Sequence, residues 1–456
     1  MQAYDLIKEY CNKVSEQIRW KKAKPVIYTE IENHLCDQRD AYIADGDNEN
    51  IATEKAIKQM GDAVLIGQEL DKTHKPKPQL FMILIIGILI SIGAFINYII
   101  GDLPDSVYNF SVLPYILAFI VFICCYYADF TLLGKYADKI YIVTLAFCIV
   151  NSLFASDFGI GAQWFLPKPF MSRYISLILP LVFSLFVYSM RNKGSKGIFI
   201  SVLAYFPFAF ILFRIPTLAG VILYTVTAFI VLYFALYKGW FACDKNQGLI
   251  ITSAIALMVF IFGVINFLFG YSRRLIPFLY AEKYKDTDAF IYYTLRDVIK
   301  NSHLFGSSEL VQNSQSIEFL NRIGVDYLLT HLIYKFGFIC LFLIIALITL
   351  FCVVGIRKML KQKSVLGSLV ALSIIITFVL QIVLAIFDNL GYGLISSLGM
   401  PFIIYGKSGL FINSALAGFM LSVFRTGEIF KDNYIKNTTP FILYKDGKLI
   451  IDLKGD

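Results

Sequence analysis

The sequence predicts an all-α, polytopic membrane protein of about ten transmembrane helices, preceded by a small three-helix soluble domain. Three observations predict it. From Leu80 onward, apolar runs long enough to cross a ~30 Å hydrocarbon core recur along the chain. The 456 residues are 57% hydrophobic and only 16% charged, with a mean hydropathy of +0.67, a membrane composition. Lys and Arg gather in short loops between the apolar runs, so the net charge of +8 sets topology and gives no basis for nucleic-acid binding.

Residues 1–71 read as three amphipathic helices, near 4–18, 26–44 and 51–70. The second ends at the turn Asp45-Gly46-Asp47-Asn48, and the third carries Ala56, Met60, Val64 and Ile66 at an approximate helical period. The chain opens on a charged amphipathic stretch, so no cleavable signal peptide is expected and the first span directs insertion. Residues 72–79 form a basic linker in which Pro76 and Pro78 block helix continuation, separating the soluble domain from the apolar remainder of the chain.

Spans are expected near 80–100, 110–128, 140–155, 174–190, 197–213, 216–237, 248–269, 327–354, 365–387 and 409–424. With the N-terminus inside, the inner loops carry Lys135, Lys139, Arg191, Lys193, Lys196, Lys238, Lys245, Arg357, Lys358, Lys361 and Lys363. The first outer loop, residues 101–109, has neither Lys nor Arg. This positive-inside pattern makes both termini cytoplasmic. A long polar outer stretch, residues 270–326, exceeds ordinary loop lengths, and loops of that size usually carry function. A second outer segment, residues 389–408, is Gly-rich and mildly apolar, and is suited to re-enter the membrane where protein shields it. The cytoplasmic tail, 426–456, reads as a β-hairpin around Asp446-Gly447. The eight cysteines show no disulfide framework and no metal-ligand spacing. No phosphate-cradling Gly-rich loop, HExxH or nucleophile elbow is present, so ATP-driven pump and soluble hydrolase chemistry have no support.

Several motifs resemble those of the FtsW/RodA/SpoVE (SEDS) family. Arg274-Leu275-Ile276-Pro277-Phe278 resembles its arginine outside the seventh helix, and Ile299 with Leu304-Phe305-Gly306 its I-x-x-x-x-L-F-G segment. Val325-Asp326-Tyr327-Leu328-Leu329 resembles T-D-F-I-F at the eighth helix, with Gly337 eleven residues after the aspartate. The stretch from Pro401-Phe402-Ile403 to Tyr405-Gly406-Lys407-Ser408 resembles P-F-I-S-Y-G-G-S, and Gly161-Ala162-Gln163-Trp164 resembles G-A-x-R-W, one residue shorter. The likeness covers roughly residues 80–425. Ala56-Ile57-Lys58-Gln59-Met60-Gly61-Asp62 resembles the prefix domain that precedes some permeases and signalling proteins.

The resemblance implies a peptidoglycan glycosyltransferase of division, shape maintenance or sporulation. Its substrate would be undecaprenyl-linked lipid II, polymerised into glycan at the outer face. Its partner would be a class B penicillin-binding protein, which crosslinks the strands. Such chemistry needs a base for the acceptor hydroxyl, and cationic groups or a divalent cation such as magnesium for the departing pyrophosphate. The sequence assigns no cofactor and no metal ligands. Direct displacement inverts the anomeric centre, so one carboxylate suffices. By carry-over from the family aspartate, Asp326 is the candidate base; the alternative is an acid that merely complements a helix dipole. Arg274 and Arg273 are candidates for the pyrophosphate, or interfacial anchors. Lys407, in place of a family glycine, and Ser408 complete the headgroup candidates, although Lys407 also reads as snorkelling to water. His331 and Lys335 share one face inside the expected eighth helix, with Lys335 roughly opposite Asp326 and ~13 Å deeper.

Several family acids are replaced. The paired glutamates of the eighth helix are Tyr334 and Lys335, L-P-E is Leu320-Asn321-Arg322, and Q-P-S-E is Phe170-Met171-Ser172-Arg173. These losses keep two rival readings open. One is a flippase for lipid II or another lipid-linked precursor; the other is a non-catalytic scaffold for a transpeptidase.

Overall fold

The computed structural model describes residues 3–21, 23–101, 111–154, 172–214, 217–307, 327–394, 398–403, 407–427, 442–445 and 448–451. Two compact units emerge, one built on Met1–Pro78 and the other on Gln79–Gly427.

The first unit contains α1 (Ala3–Gln17), α2 (Ala23–Ala44), α3 (Glu49–Met60) and α4 (Ala63–His74). Ile7, Cys11, Val14 and Ile18 recur at helical spacing and bury one stripe of the first segment against Ile27, Leu35 and Ala56. The Tyr10 hydroxyl donates to the Gly61 carbonyl at 3.0 Å, and the Arg19 amide donates to Asp71 Oδ1 at 2.8 Å. These two contacts set α1 alongside α4 in parallel. The single helix expected over 51–70 is therefore two. The chain turns at Gly61 (φ +94°), and Asp62 starts α4 by accepting from the Val64 and Leu65 amides, both at 2.9 Å. A side chain able to satisfy free amides restarts a helix even where the apolar period runs on. Burial, with Glu32 and Cys36 adding, pushes the Cys11 thiol up to about 11, the behaviour of a packing group.

The second unit is helical and membrane-spanning. Among the described residues seven helices are long and apolar enough to cross a bilayer: α5 (Leu80–Gly101), α10 (Gly194–Arg214), α11 (Leu218–Tyr237), α12 (Lys245–Leu279), α15 (Phe338–Leu360), α16 (Val365–Phe387) and α17 (Lys407–Thr426). Shorter apolar helices α6 (Leu113–Tyr127) and α9 (Leu179–Ser189) accompany them, with α7 (Thr131–Lys135) and α8 (Ala137–Phe154) between. The spans differ in enclosure: 78% of the α17 window and 61% of the α16 window are buried, against 11% for α12. The pair α16 and α17 is thus the centre of the bundle and α12 its periphery.

Helix α17 lies closely on α6 through a small-residue stripe, Ser414, Gly418 and Ser422. A Cβ on Gly418 would stand 2.5 Å from the Phe122 carbonyl oxygen, and the Ser422 hydroxyl donates to the Ala128 carbonyl at 2.5 Å. Gly418→Leu is expected to destabilise the bundle by about 3 kcal/mol, because α6 backbone at Phe122 and Tyr126 must move away. Detergent-solubilised protein would then lose its monodisperse peak in size exclusion; an unchanged peak and Tm would disprove the close approach.

Three expected spans are built differently. The one over 174–190 is a 3₁₀ turn, Ser172–Leu177, followed by α9 with Pro180 in its first turn, where the missing N–H goes unneeded. The seventh runs on past residue 269 to Leu279, because an apolar window marks where lipid ends and not where backbone hydrogen bonding ends. The eighth, expected over 327–354, is two helices: α14 (Leu328–Phe336) and α15, separated at Gly337 (φ 85°, ψ 176°). At 23 residues, α15 spans without help from α14. Distance along the chain from Asp326 to Lys335 therefore no longer measures depth. In the tail, β1 (Ile442–Lys445) pairs antiparallel with β2 (Lys448–Ile451), Lys445 opposite Lys448; Asp446 and Gly447 lie outside the described residues.

Candidate active site

Three elements meet at one end of the second unit: α13 (Phe290–Lys300), α14, and a π-helical turn, Asp388–Tyr392, that continues α16. Helix α13 is strongly amphipathic and buries Thr294, Leu295 and Val298. Its Arg296 extends from this platform. The guanidinium donates to the Gly391 carbonyl at 2.9 Å and to the Phe278 carbonyl at 3.3 Å, lying 4.7 Å from the Tyr392 ring and 5.0 Å from that of Phe278. One planar cation thereby ties α12, α13 and the turn together.

Asn389 performs the matching task for α14. Its Oδ1 accepts from the Leu329 amide at 2.9 Å and the Thr330 amide at 3.4 Å, while its Nδ2 donates to the Ala385 carbonyl at 2.8 Å. The Thr330 hydroxyl donates to the Asn389 carbonyl. A single buried amide side chain so closes the carbonyl end of α16 and the amide end of α14. At the far end of α14, the carbonyls of His303 and Leu304 accept from the amides of Phe338 and Ile339 at 3.1 and 3.2 Å. These bonds satisfy the start of α15, and Gly337 fits beneath them: a Cβ there would lie 2.6 Å from the Leu304 oxygen. Leu304 and Gly337, from two separate motifs, thus meet in space.

The segment 398–403 runs back into the bundle. Phe402 (φ 64°) is 1% exposed between Phe351 and Phe378, near the middles of α15 and α16, with ring centroids at 6.1 and 5.5 Å. Its carbonyl faces Gly93 of α5. Irregular backbone is held here inside a shell of protein, as a re-entrant segment requires.

The sequence candidates fall on three elements. Arg274 is exposed on the extension of α12; Arg273 shares that helix, and its side chain lies outside the described residues. Lys407 is exposed at the start of α17, and Ser408 is buried beside it. His331 and Lys335 share α14, outside the span formed by α15. Lys335 is half-buried, whereas His331 is 2% exposed with neither ring nitrogen hydrogen-bonded among the described residues. Burial, with Lys335 adding, pushes the His331 imidazole down to about 4, so it is neutral at pH 7. Asp326 lies outside the described residues, two positions ahead of α14, as do Gly161-Ala162-Gln163-Trp164 and Tyr405-Gly406. Among the described residues no group of three or more His, Cys, Asp or Glu gathers as metal ligands.

Arg296, Asn389 and Thr330, which join these elements, were not singled out by sequence. Nor were Gln381 and Asn413, fully buried on α16 and α17 with both amide atoms unpartnered among the described residues. Only the amphipathicity of residues 290–300 could have pointed toward Arg296. Arg296→Ala is expected to destabilise by about 1–3 kcal/mol through the orphaned carbonyls, read as a lower Tm. Arg296→Lys should fail to restore it, since an ammonium can neither fork nor stack as guanidinium does. Full recovery with lysine would show that charge alone matters.

A family model described as cell cycle protein, FtsW/RodA/SpoVE, matches residues 76–428. The chain belongs to the FtsW/RodA/SpoVE family. The match starts within the basic linker, leaving α1–α4 outside it. Solved structures share the FtsW/RodA/SpoVE fold at low identity. A chain of a peptidoglycan synthase complex that coordinates polymerisation and crosslinking superposes with a TM-score of 0.59 at 17% identity, covering 76% of this chain and 98% of that one. The rod shape-determining protein RodA of Thermus thermophilus gives a TM-score of 0.52 at 15% identity, over 77% of this chain and 97% of RodA. Its aspartate-to-alanine variant gives 0.51, also at 15% identity, over 77% and 98%. No curated sequence matches the chain.

Proposed function

We propose that this family member acts in peptidoglycan synthesis, as a glycosyltransferase that polymerises lipid II at the outer face of the cell membrane beside a class B penicillin-binding protein. The carrying observation is how the start of α14 is capped. Asn389 takes the Leu329 and Thr330 amides, so those amides do not need a carboxylate from Asp326. That leaves the acid for chemistry: Asp326 takes the acceptor hydroxyl proton as the sugar oxygen attacks the anomeric carbon and the lipid pyrophosphate departs. Arg274, with Arg273, stabilises the departing charge, and Lys407 and Ser408 contact the headgroup. The precursor arrives from the membrane already linked to its lipid, so the site belongs at a water–lipid boundary.

Purified protein supplied with labelled lipid II, with and without a transpeptidase, tests this: glycan product that depends on Asp326 is the expected result. The amides of Gln381 and Asn413 inside the bundle, unpartnered among the described residues, favour a second reading, passage of a lipid-linked precursor between leaflets. Transbilayer movement without product would select that reading, and neither activity would leave a scaffold.

A further inference from the structure

We propose that the first unit carries a docking surface for anionic phospholipid headgroups, built where the ends of α1 and α4 and the start of α2 converge. Two basic runs far apart in sequence meet there: Arg19-Trp20-Lys21 with Lys24, and Lys72-Thr73-His74-Lys75-Pro76-Lys77. The Arg19 amide bond to Asp71 brings them together, and the Arg19 guanidinium lies 3.7 Å from the same carboxylate. Arg19, Lys21, Lys72, Lys75 and Lys77 are exposed and Lys24 is half-buried; Asp71, the acid among them, is engaged by Arg19. Glu16 and Glu69 are exposed behind this edge.

The opposite pole has the other sign. Asp37, Asp40, Asp45, Asp47 and Glu49 cluster around the far end of α2, about 33 Å away along its 22 residues. Lys55 and Arg39 there are held by Asp47 and Asp40, each at 2.7 Å. The unit is therefore a dipole whose positive end is also where the chain leaves it, two residues before the first span starts at Leu80. Lys72 is eight residues from Leu80, so even extended chain keeps it within about 28 Å of the bilayer. Attraction to anionic headgroups decays over roughly 8 Å, so these cations act by contact. Trp20, in the first of these runs, packs half-buried against the edge of the unit's core and so reports on this face. Topology-setting charges need no such convergence, because they act through their position beside a span and not through a folded surface.

Trp20 is also the probe. The chain has three tryptophans, so Trp164→Phe with Trp240→Phe leaves Trp20 as the reporter in the full-length protein. Placed in nanodiscs containing headgroup spin-labelled lipid, its fluorescence should be quenched more when phosphatidylglycerol accompanies phosphatidylcholine than in phosphatidylcholine alone. High salt should remove the difference. Lys21→Glu, Lys72→Glu and Lys75→Glu should each lower the docking equilibrium constant roughly thirty-fold, two charge units each. Lys58→Glu, on exposed α3, should leave it unchanged. Equal quenching in both lipids, or lipid-dependent quenching that survives the three reversals, overturns the proposal and assigns the basic pole to some other partner.

Discussion

Asp326→Asn is expected to lower lipid II polymerisation by ~10²–10⁴-fold, the contribution of a positioned general base. The amide is nearly isosteric with the acid and cannot accept the proton, so the change is chemical. Its structural effect should be small, because the α14 amides that a helix-terminal acid would serve are bonded to Asn389 instead. The prediction therefore has two parts: a collapsed rate and an unchanged Tm. More than half the wild-type rate would remove Asp326 from the mechanism. A large fall in Tm would instead return it to the role of a helix-terminal acid.

Gly337→Ala is expected to destabilise the protein far more than one added methyl group ordinarily does. Its backbone, at φ 85° and ψ 176°, is a region that side chains reach only with about 1–3 kcal/mol of strain. The added carbon would also meet the Leu304 carbonyl at 2.6 Å. Moving that carbonyl away breaks its bond from the Ile339 amide, worth about 1 kcal/mol, and disturbs the neighbouring His303 carbonyl, which accepts from Phe338. Gly306→Ala is the matched control, with φ +86° and nothing within 4 Å of an added Cβ. It incurs backbone strain alone. Thermal unfolding should show a drop for Gly337→Ala at least twice that for Gly306→Ala; equal drops would mean that the Leu304 contact contributes nothing. Polymerisation should fall with it, since Gly337 holds the 303–304 segment against the α14–α15 junction.

By itself the sequence determined the class of solvent and most of the elements. Apolar length, loop charge and helical period are properties of neighbouring residues, and hydrocarbon reads them one run at a time. Motif order carried the family, because the segments around Leu304, Asp326, Gly337 and Pro401 follow one another as in the motifs they resemble. Tertiary structure decided where helices break and which polar groups meet. The split at Gly61 has a local cause, the cap by neighbouring Asp62, but that at Gly337 depends on the His303 and Leu304 carbonyls thirty-odd residues upstream. Arg296 and Asn389 look like ordinary surface residues in sequence, and acquire roles only when α12, α13, α14 and the 388–392 turn come within hydrogen-bonding distance. The basic pole of the first unit arises in the same way, from two charge runs about fifty residues apart that one amide–carboxylate bond joins. Short-range forces act on what is near in space, and only the fold determines that.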